Sequence, residues 1–176
     1  MTSLGSHQPG LRATPLLGLR RRPGRLALAL FRLPLPLYRH RWGWLLGHTF
    51  LLLVHTGRRT GKPRATVAMT VRYNRQSHEA VVCSVWGPHT DWIRNIRARP
   101  ALQIQIGREV FTPTQRFLDE DESVAALADF RRKHPHRLRL VTRILGWPNL
   151  DNDATLRDFV RNRPFVAFHP ETPSAG

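Results

Sequence analysis

Residues 50–86 read FLLLVHTGRRTGKPRATVAMTVRYNRQSHEAVVCSVW, and the period of their apolar positions decides the fold. Phe50–Thr56 is a short apolar run closed by Gly57. Ala65, Val67, Met69, Val71 and Tyr73 then alternate with Thr66, Ala68, Thr70 and Arg72, the period of two expected of a half-buried strand. Asn74–His78 is a polar turn, and Ala80–Trp86 is a third strand, apolar on both faces at its centre. Farther along, Leu102, Ile104 and Ile106 alternate with Gln103 and Gln105. Gly107-Arg108 then has the glycine-first form of a two-residue hairpin leading into a strand over Glu109–Phe117. Pro164–His169 reads as a closing strand. Strands in hairpin order predict a small, mostly antiparallel barrel of the α+β class rather than a doubly wound sheet.

Helices fill the gaps. One short helix is predicted between the third and fourth strands, started by Thr90 or Asp91 and stopped before Pro100. On it Trp92, Asn95 and Ile96 share a side while Arg94 and Arg97 point elsewhere. Asp119–Glu122 puts four acids at the start of a second helix, where the helix dipole favours them. Val124, Leu127 and Arg131 continue it at helical spacing, and further helices are predicted over Arg137–Leu145 and Ala154–Asn162.

The barrel domain therefore spans 48–170, with an arm over 1–47 and a tail over 171–176. Charge separates arm from domain. The chain has 28 basic and 12 acidic residues, net +16, yet its first acid is Glu79. All but Lys62 and Lys133 of the basic residues are Arg. Codon usage alone can produce such an excess. So can contact with something anionic: a nucleic acid, a lipid surface or a phosphorylated cofactor. The arm interleaves Phe31, Tyr38, Trp42 and Trp44 with Arg25, Arg32, Arg39 and Arg41, a mix that suits either an interfacial membrane anchor or packing on the barrel. Its longest mostly apolar run, Trp42–Val54, is 13 residues, short of the roughly 20 a bilayer span needs. No export signal is evident, so a cytoplasmic location is expected, with peripheral contact to an anionic membrane through the arm. A single cysteine, Cys83, excludes an internal disulfide framework, and its place in an apolar strand predicts a buried, inert thiol.

The segment that carries chemistry is Thr56-Gly57-Arg58-Arg59-Thr60-Gly61-Lys62-Pro63-Arg64. Two glycines allow sharp turns that expose backbone N–H groups. Four cations within nine residues repel one another unless an anion lies between them. The spacing is not that of a nucleotide P-loop, because Lys62 is followed by Pro63. Ser84, His89 and Asp91 lie close in sequence, but no nucleophile elbow surrounds Ser84. His134 and His136, split by Pro135, make a poor metal pair.

Thr56–Arg64 resembles the TGR-[KR]-[ST]-GKPR signature of the deazaflavin-dependent nitroreductase family, split β-barrel oxidoreductases that bind coenzyme F420. The likeness continues through Ala65–Tyr73, Ser84-Val85-Trp86-Gly87, Asp91-Trp92-Ile93-Arg94-Asn95-Ile96, Arg99-Pro100 and Gln103–Gly107. The resemblance implies a split β-barrel of about six strands and an F420H2-dependent reductase that passes a hydride to an electron-poor, lipophilic acceptor: a quinone, an enone or a nitro compound. It implies that Arg58, Arg59, Lys62 and Arg64 hold the anionic end of the cofactor, while Thr66, Met69, Ser84, Val85, Trp86 and Gly87 wall its ring and Trp92 and Asn95 approach from the short helix. FMN is the alternative cofactor. Where family members place tyrosines over a nitro substrate, Phe130–Asp153 contains none and offers Trp147, His134 and His136, which argues against nitroreduction. A non-catalytic carrier of F420, flavin, haem or fatty acid is the second reading. Nucleic-acid binding ranks last, since no aromatic side chain interleaves the arginines between Val54 and Arg72. Oligomeric state is open, a homodimer included.

Overall fold

The computed structural model describes residues 48–171. The arm over 1–47 and the tail beyond Glu171 lie outside the described residues. Seven strands form one antiparallel sheet: β1 (Phe50–Thr56), β2 (Pro63–Asn74), β3 (Glu79–Cys83), β4 (Gln103–Ile106), β5 (Glu109–Phe111), β6 (Pro113–Phe117) and β7 (Phe165–Pro170), in the spatial order β5-β4-β1-β2-β3-β7-β6. The two edge strands, β5 and β6, are separated in sequence only by Thr112. One residue cannot bridge the width of an open seven-stranded sheet, so the sheet must curl until its edges meet. The result is a nearly closed split barrel.

The single strand expected over Glu109–Phe117 is thus two strands, which brings the expected set of about six to seven among the described residues. Phe111 pairs with Ile104 on one side of the break, and Pro113 with Pro170 on the other. The third strand also stops early, at Cys83 rather than Trp86. Ser84 Oγ donates to the Gly87 carbonyl at 2.7 Å and Gly87 takes φ 86°, which turns the chain out of the sheet. Gly87 suits that position because side-chain-bearing residues rarely adopt positive φ.

Among the described residues four helices cover the sheet: α1 (Asp91–Ala98), α2 (Glu120–Lys133), α3 (Pro135–Leu145) and α4 (Asp153–Arg161). Asp119 caps α2 in a capping box with Glu122, so one of the four acids closes the helix end and three lie inside its first turn. Inside the barrel Leu51, Leu53, Ala68, Ala80, Val82, Ile104, Ile106, Val166 and Phe168 pack against Trp92, Ile93 and Ile96 of α1. Gln115 of β6 pins the end of that helix, donating to Ile96 O at 2.7 Å and accepting from Ala101 N at 2.9 Å. A second core, on the outer face, packs Met69, Val71, Val81 and Cys83 under Leu127, Phe130, Leu156 and Phe159. Burial pushes the Cys83 thiol up to about 12. A register shift between Thr70 and Arg72 sends Tyr73 to the barrel interior while Met69 and Val71 face the helices. Strict alternation along β2 therefore fails at its far end, as a bulge requires.

Candidate functional site

The β1–β2 connection is a compact loop over residues 57–62, closed where Thr56 pairs with Pro63. Gly57 N donates to Lys62 O at 2.9 Å, and Gly57 O accepts from Thr60 N at 3.2 Å and Gly61 N at 2.8 Å. Arg58 N donates to Asn95 Oδ1 at 3.1 Å and Lys62 N to Thr60 Oγ1 at 3.4 Å. Five of the loop's N–H groups are thereby committed inside the protein. The sequence led us to expect an exposed backbone nest for an anion. Instead, those five have partners within the protein, and the loop exposes the side chains of Arg59 and Lys62.

A cavity of about 520 Å³ opens beside this loop, lined by His55, Gly57, Arg58, Arg59, Thr60 and Arg64, by Ala65, Thr66 and Val67, and by Trp86, Thr90, Asp91, Trp92 and Asn95. Its floor is where the fold concentrates polarity. His55 shares the inward face of β1 with Leu51 and Leu53, and Thr66 shares the corresponding face of β2 with Ala68. At this end of the barrel α1 brings Asn95 over both strands. His55 and Asn95 are each only 2% exposed. Asn95 Oδ1 accepts from Arg58 N and from Arg58 Nη1 at 3.2 Å, while its Nδ2 meets His55 Nδ1 at 3.1 Å. His55 Nε2 lies 3.2 Å from Thr66 Oγ1. Burial and the nearby Arg64 guanidinium hold the imidazole below its ordinary 6.5, opposed by a backbone hydrogen bond at Thr56 and then by the Asp91 carboxylate.

Charge gathers at the rim. Arg58 Nη1 donates to Asp91 Oδ1 at 2.9 Å, a bond that holds the Asp91 carboxyl below the usual range. Arg59 and Arg64 are exposed and form no ion pair among the described residues. Three guanidinium groups against one carboxylate leave the rim net positive. The walls are apolar: Val67, Trp92 and Trp86, the last 39% exposed at the mouth. Trp86 stands on the loop that Ser84 stabilises. That loop is held from below by Arg163, whose Nε donates to Val85 O at 3.3 Å and whose guanidinium lies 4.1 Å from the Phe159 ring centroid.

Of the residues singled out from sequence, Gly57, Arg58, Arg59, Thr60, Arg64, Thr66, Trp86, Trp92 and Asn95 come together on this cavity. Thr56, Gly61, Lys62, Pro63, Met69, Ser84, Val85 and Gly87 are not among its lining residues. Met69 packs under the helices and Val85 in the same outer core. Ser84 is wholly buried and shapes the Trp86 loop by bonding Gly87 and, at 3.0 Å, Thr90 Oγ1. Lys62 contributes its carbonyl to the loop while its side chain is exposed. Trp147 is buried against Phe159, and His134 and His136 are exposed on α3 or its cap, so none of these three lines the cavity. Sequence reasoning missed His55, Ala65, Thr90 and Asp91 as site residues, whereas Val67 falls within the stretch from Thr66 to Met69 expected to wall the ring. The parity of His55 with Leu51 and Leu53, immediately before the basic loop, is the signal that marks it.

The donor set fits an elongated ligand with a flat apolar ring and an anionic extension. His55, the single histidine lining the cavity among the described residues, has both ring nitrogens engaged within the protein, which leaves it no free nitrogen for a haem iron.

Residues 37–138 match the family described as F420H(2)-dependent quinone reductase; the match begins inside the segment read as an arm. Among solved structures, the chain resembles an F420-H2 dependent reductase (FDR-A) at 20% identity and TM-score 0.47, covering 70% of this chain and 96% of that one. It also resembles a pyridoxamine 5'-phosphate oxidase-related FMN-binding protein from Nostoc punctiforme at 15% identity, over 86% of this chain and 82% of that one, TM-score 0.42. A third is the heme storage protein HutZ from Vibrio cholerae, at 12% identity over 77% and 91%, TM-score 0.44.

Proposed function

Because this chain belongs to the F420H(2)-dependent quinone reductase family, and is therefore an oxidoreductase that works with coenzyme F420, we propose that the cavity beside the basic loop is where it holds that cofactor. The observation that carries this reading is the division of the cavity into tryptophan and valine walls and a rim bearing Arg58, Arg59 and Arg64. When bound, the reduced deazaflavin supplies the hydride; the protein's part is to bind, orient and keep water out. Arg59 and Arg64 attract the phosphodiester and glutamate oxygens through charge-assisted hydrogen bonds. Arg58 has a different role. Its bonds to Asp91 and Asn95 tie the loop to α1 and fix the rim in place. Val67 and Trp92 offer the ring an apolar slot, and Thr66 offers a hydroxyl at its edge.

The acceptor we infer is a quinone rather than a nitro compound. Trp86 presents a large apolar surface at the mouth of the cavity, suited to a flat lipophilic molecule, and the region 130–153 contains no tyrosine. The eight arginines of residues 1–48, which precede the first acid, are complementary to an anionic membrane surface, where lipophilic quinones reside. Co-sedimentation of the full chain with anionic but not neutral vesicles checks that association; recovery in the supernatant at low salt removes it.

The experiment that tests the cofactor site is equilibrium binding of F420 and FMN, side by side, to the purified protein and to its Arg64→Ala variant. Preference for F420, lost with Arg64, is the expected result. Equal binding by the variant places the site elsewhere.

A further inference from the structure

The hydrogen bonds at the floor of the cavity have a direction, and it can be worked out from which groups are able to donate. Arg58 N and Nη1 are donors only, and both point at Asn95 Oδ1. The Asn95 amide therefore cannot be flipped without setting N–H groups against N–H groups. Its Nδ2 must face His55 Nδ1, so Nδ1 must accept and carries no proton. A neutral imidazole has one N–H, which then resides on Nε2 and is donated to Thr66 Oγ1. Thr66 can no longer donate back to the ring. Among the described residues Thr66 Oγ1 makes no other hydrogen bond, and its residue lines the cavity.

From this chain of bonds we infer that His55 is a positioning residue: with Asn95 it locks Thr66 as an obligate hydrogen-bond donor toward whatever acceptor occupies the cavity. The inference rests on the proposed site, in which the acceptor is a carbonyl oxygen of the deazaflavin ring. The physical advantage is preorganisation. The hydroxyl is aimed before the ligand arrives, so less orientational freedom is lost on binding. The relay also connects two ends of the ligand, since the basic loop that meets its anionic part sets the Asn95 orientation that fixes Thr66 at its ring.

Protonating His55 would put an N–H on Nδ1 facing the Asn95 amide, and the relay would break. The charged groups facing the ring are Arg64 from β2, its cross-strand partner, Arg58 from the loop and Asp91 from α1.

Two measurements test this. The first uses ligand-free protein: nitrogen-15 chemical shifts of the His55 ring at pH 7.5 should show Nε2 protonated and Nδ1 bare. The Nδ1–H tautomer, or a doubly protonated ring, overturns the relay. The second is F420 affinity of two variants. Thr66→Val, isosteric but without the hydroxyl, should raise Kd at least about fivefold and shift the absorption band of the bound cofactor. Thr66→Ser should stay within about twofold of the unaltered protein. Unchanged affinity and spectrum in Thr66→Val overturn the donor role. Failure of the unaltered protein to bind F420 at all defeats the proposed cofactor site instead, and the tautomer measurement still decides the relay.

Discussion

Arginines 58 and 64 stand at the same cavity rim and should nonetheless respond differently to truncation. Arg64 is exposed and forms no ion pair among the described residues, so Arg64→Ala removes a charge and little else. Opposite unit charges about 4 Å apart interact by between ~1 kcal/mol in water and ~4 kcal/mol at an effective dielectric of 20. Discounting for exposure leaves about 1–2 kcal/mol, or a roughly 5–30-fold rise in the Kd for F420 at low salt. Near 1 M salt the screening length falls to about 3 Å and the loss should shrink below roughly threefold. The melting temperature should not move by more than a degree or so. Arg58→Ala removes bonds to Asn95 and Asp91 as well. The Asp91 pair, with that carboxylate side chain 83% exposed, contributes little, but the part-buried bond to Asn95 is worth about 1–2 kcal/mol. For a domain of this size that is a fall of roughly 3–8 °C in Tm. Its effect on Kd should persist in high salt, because the loop itself is released. Lys62→Ala is the control, since its side chain does not line the cavity, and its Kd should change less than about threefold. Isothermal titration at two salt concentrations with a thermal melt of each variant separates these cases. Equal salt-sensitive losses for Arg58 and Lys62, with Arg64→Ala unaffected, would refute the assignment of roles.

Gly57→Ala places a Cβ 2.8 Å from Thr60 Oγ1 and 3.0 Å from Arg64 Nε, so F420 affinity should fall by displacement of Arg64; Gly61→Ala meets nothing within 4 Å but holds φ 65°, and should cost about 1 kcal/mol of stability without comparable loss of binding. Cys83, buried and with its thiol pushed up to about 12, should resist alkylating reagents in the native protein and react far faster in denaturant; rapid native labelling would contradict the burial. His55 has a pKa lowered by folding, so the unfolded chain takes up its proton first: stability present above pH 6.5 should be lost as pH falls through the folded value. A His55→Gln variant should show a flatter melting profile between pH 7 and 5, and an unchanged slope would show that the ring is not the titrating group.

The β-strand succession was legible in the sequence because period two is a local property. Leu102–Ile106 alternates, Gly107-Arg108 turns, and the structure places Gly107 at φ 56° with Ile106 opposite Glu109. Phe50–Thr56 was delimited to the residue. The basic loop and the aromatic helix were visible for the same reason: each is contiguous. The break at Thr112 was not, since whether a strand continues there depends on which partner it finds, β4 or β7. Nor could sequence separate Arg58 from Arg59 and Arg64, three cations of one loop. That distinction comes from α1, which lies 33 to 37 residues away and supplies Asp91 and Asn95 to the first alone. His55 follows the same logic. Its parity within β1 sets which way it faces, but its tautomer is settled by an amide from another element, and that by a backbone N–H from the loop. Periodicity fixes orientation within a segment; the partners of a buried polar group are chosen by closure of the barrel, which no local pattern encodes.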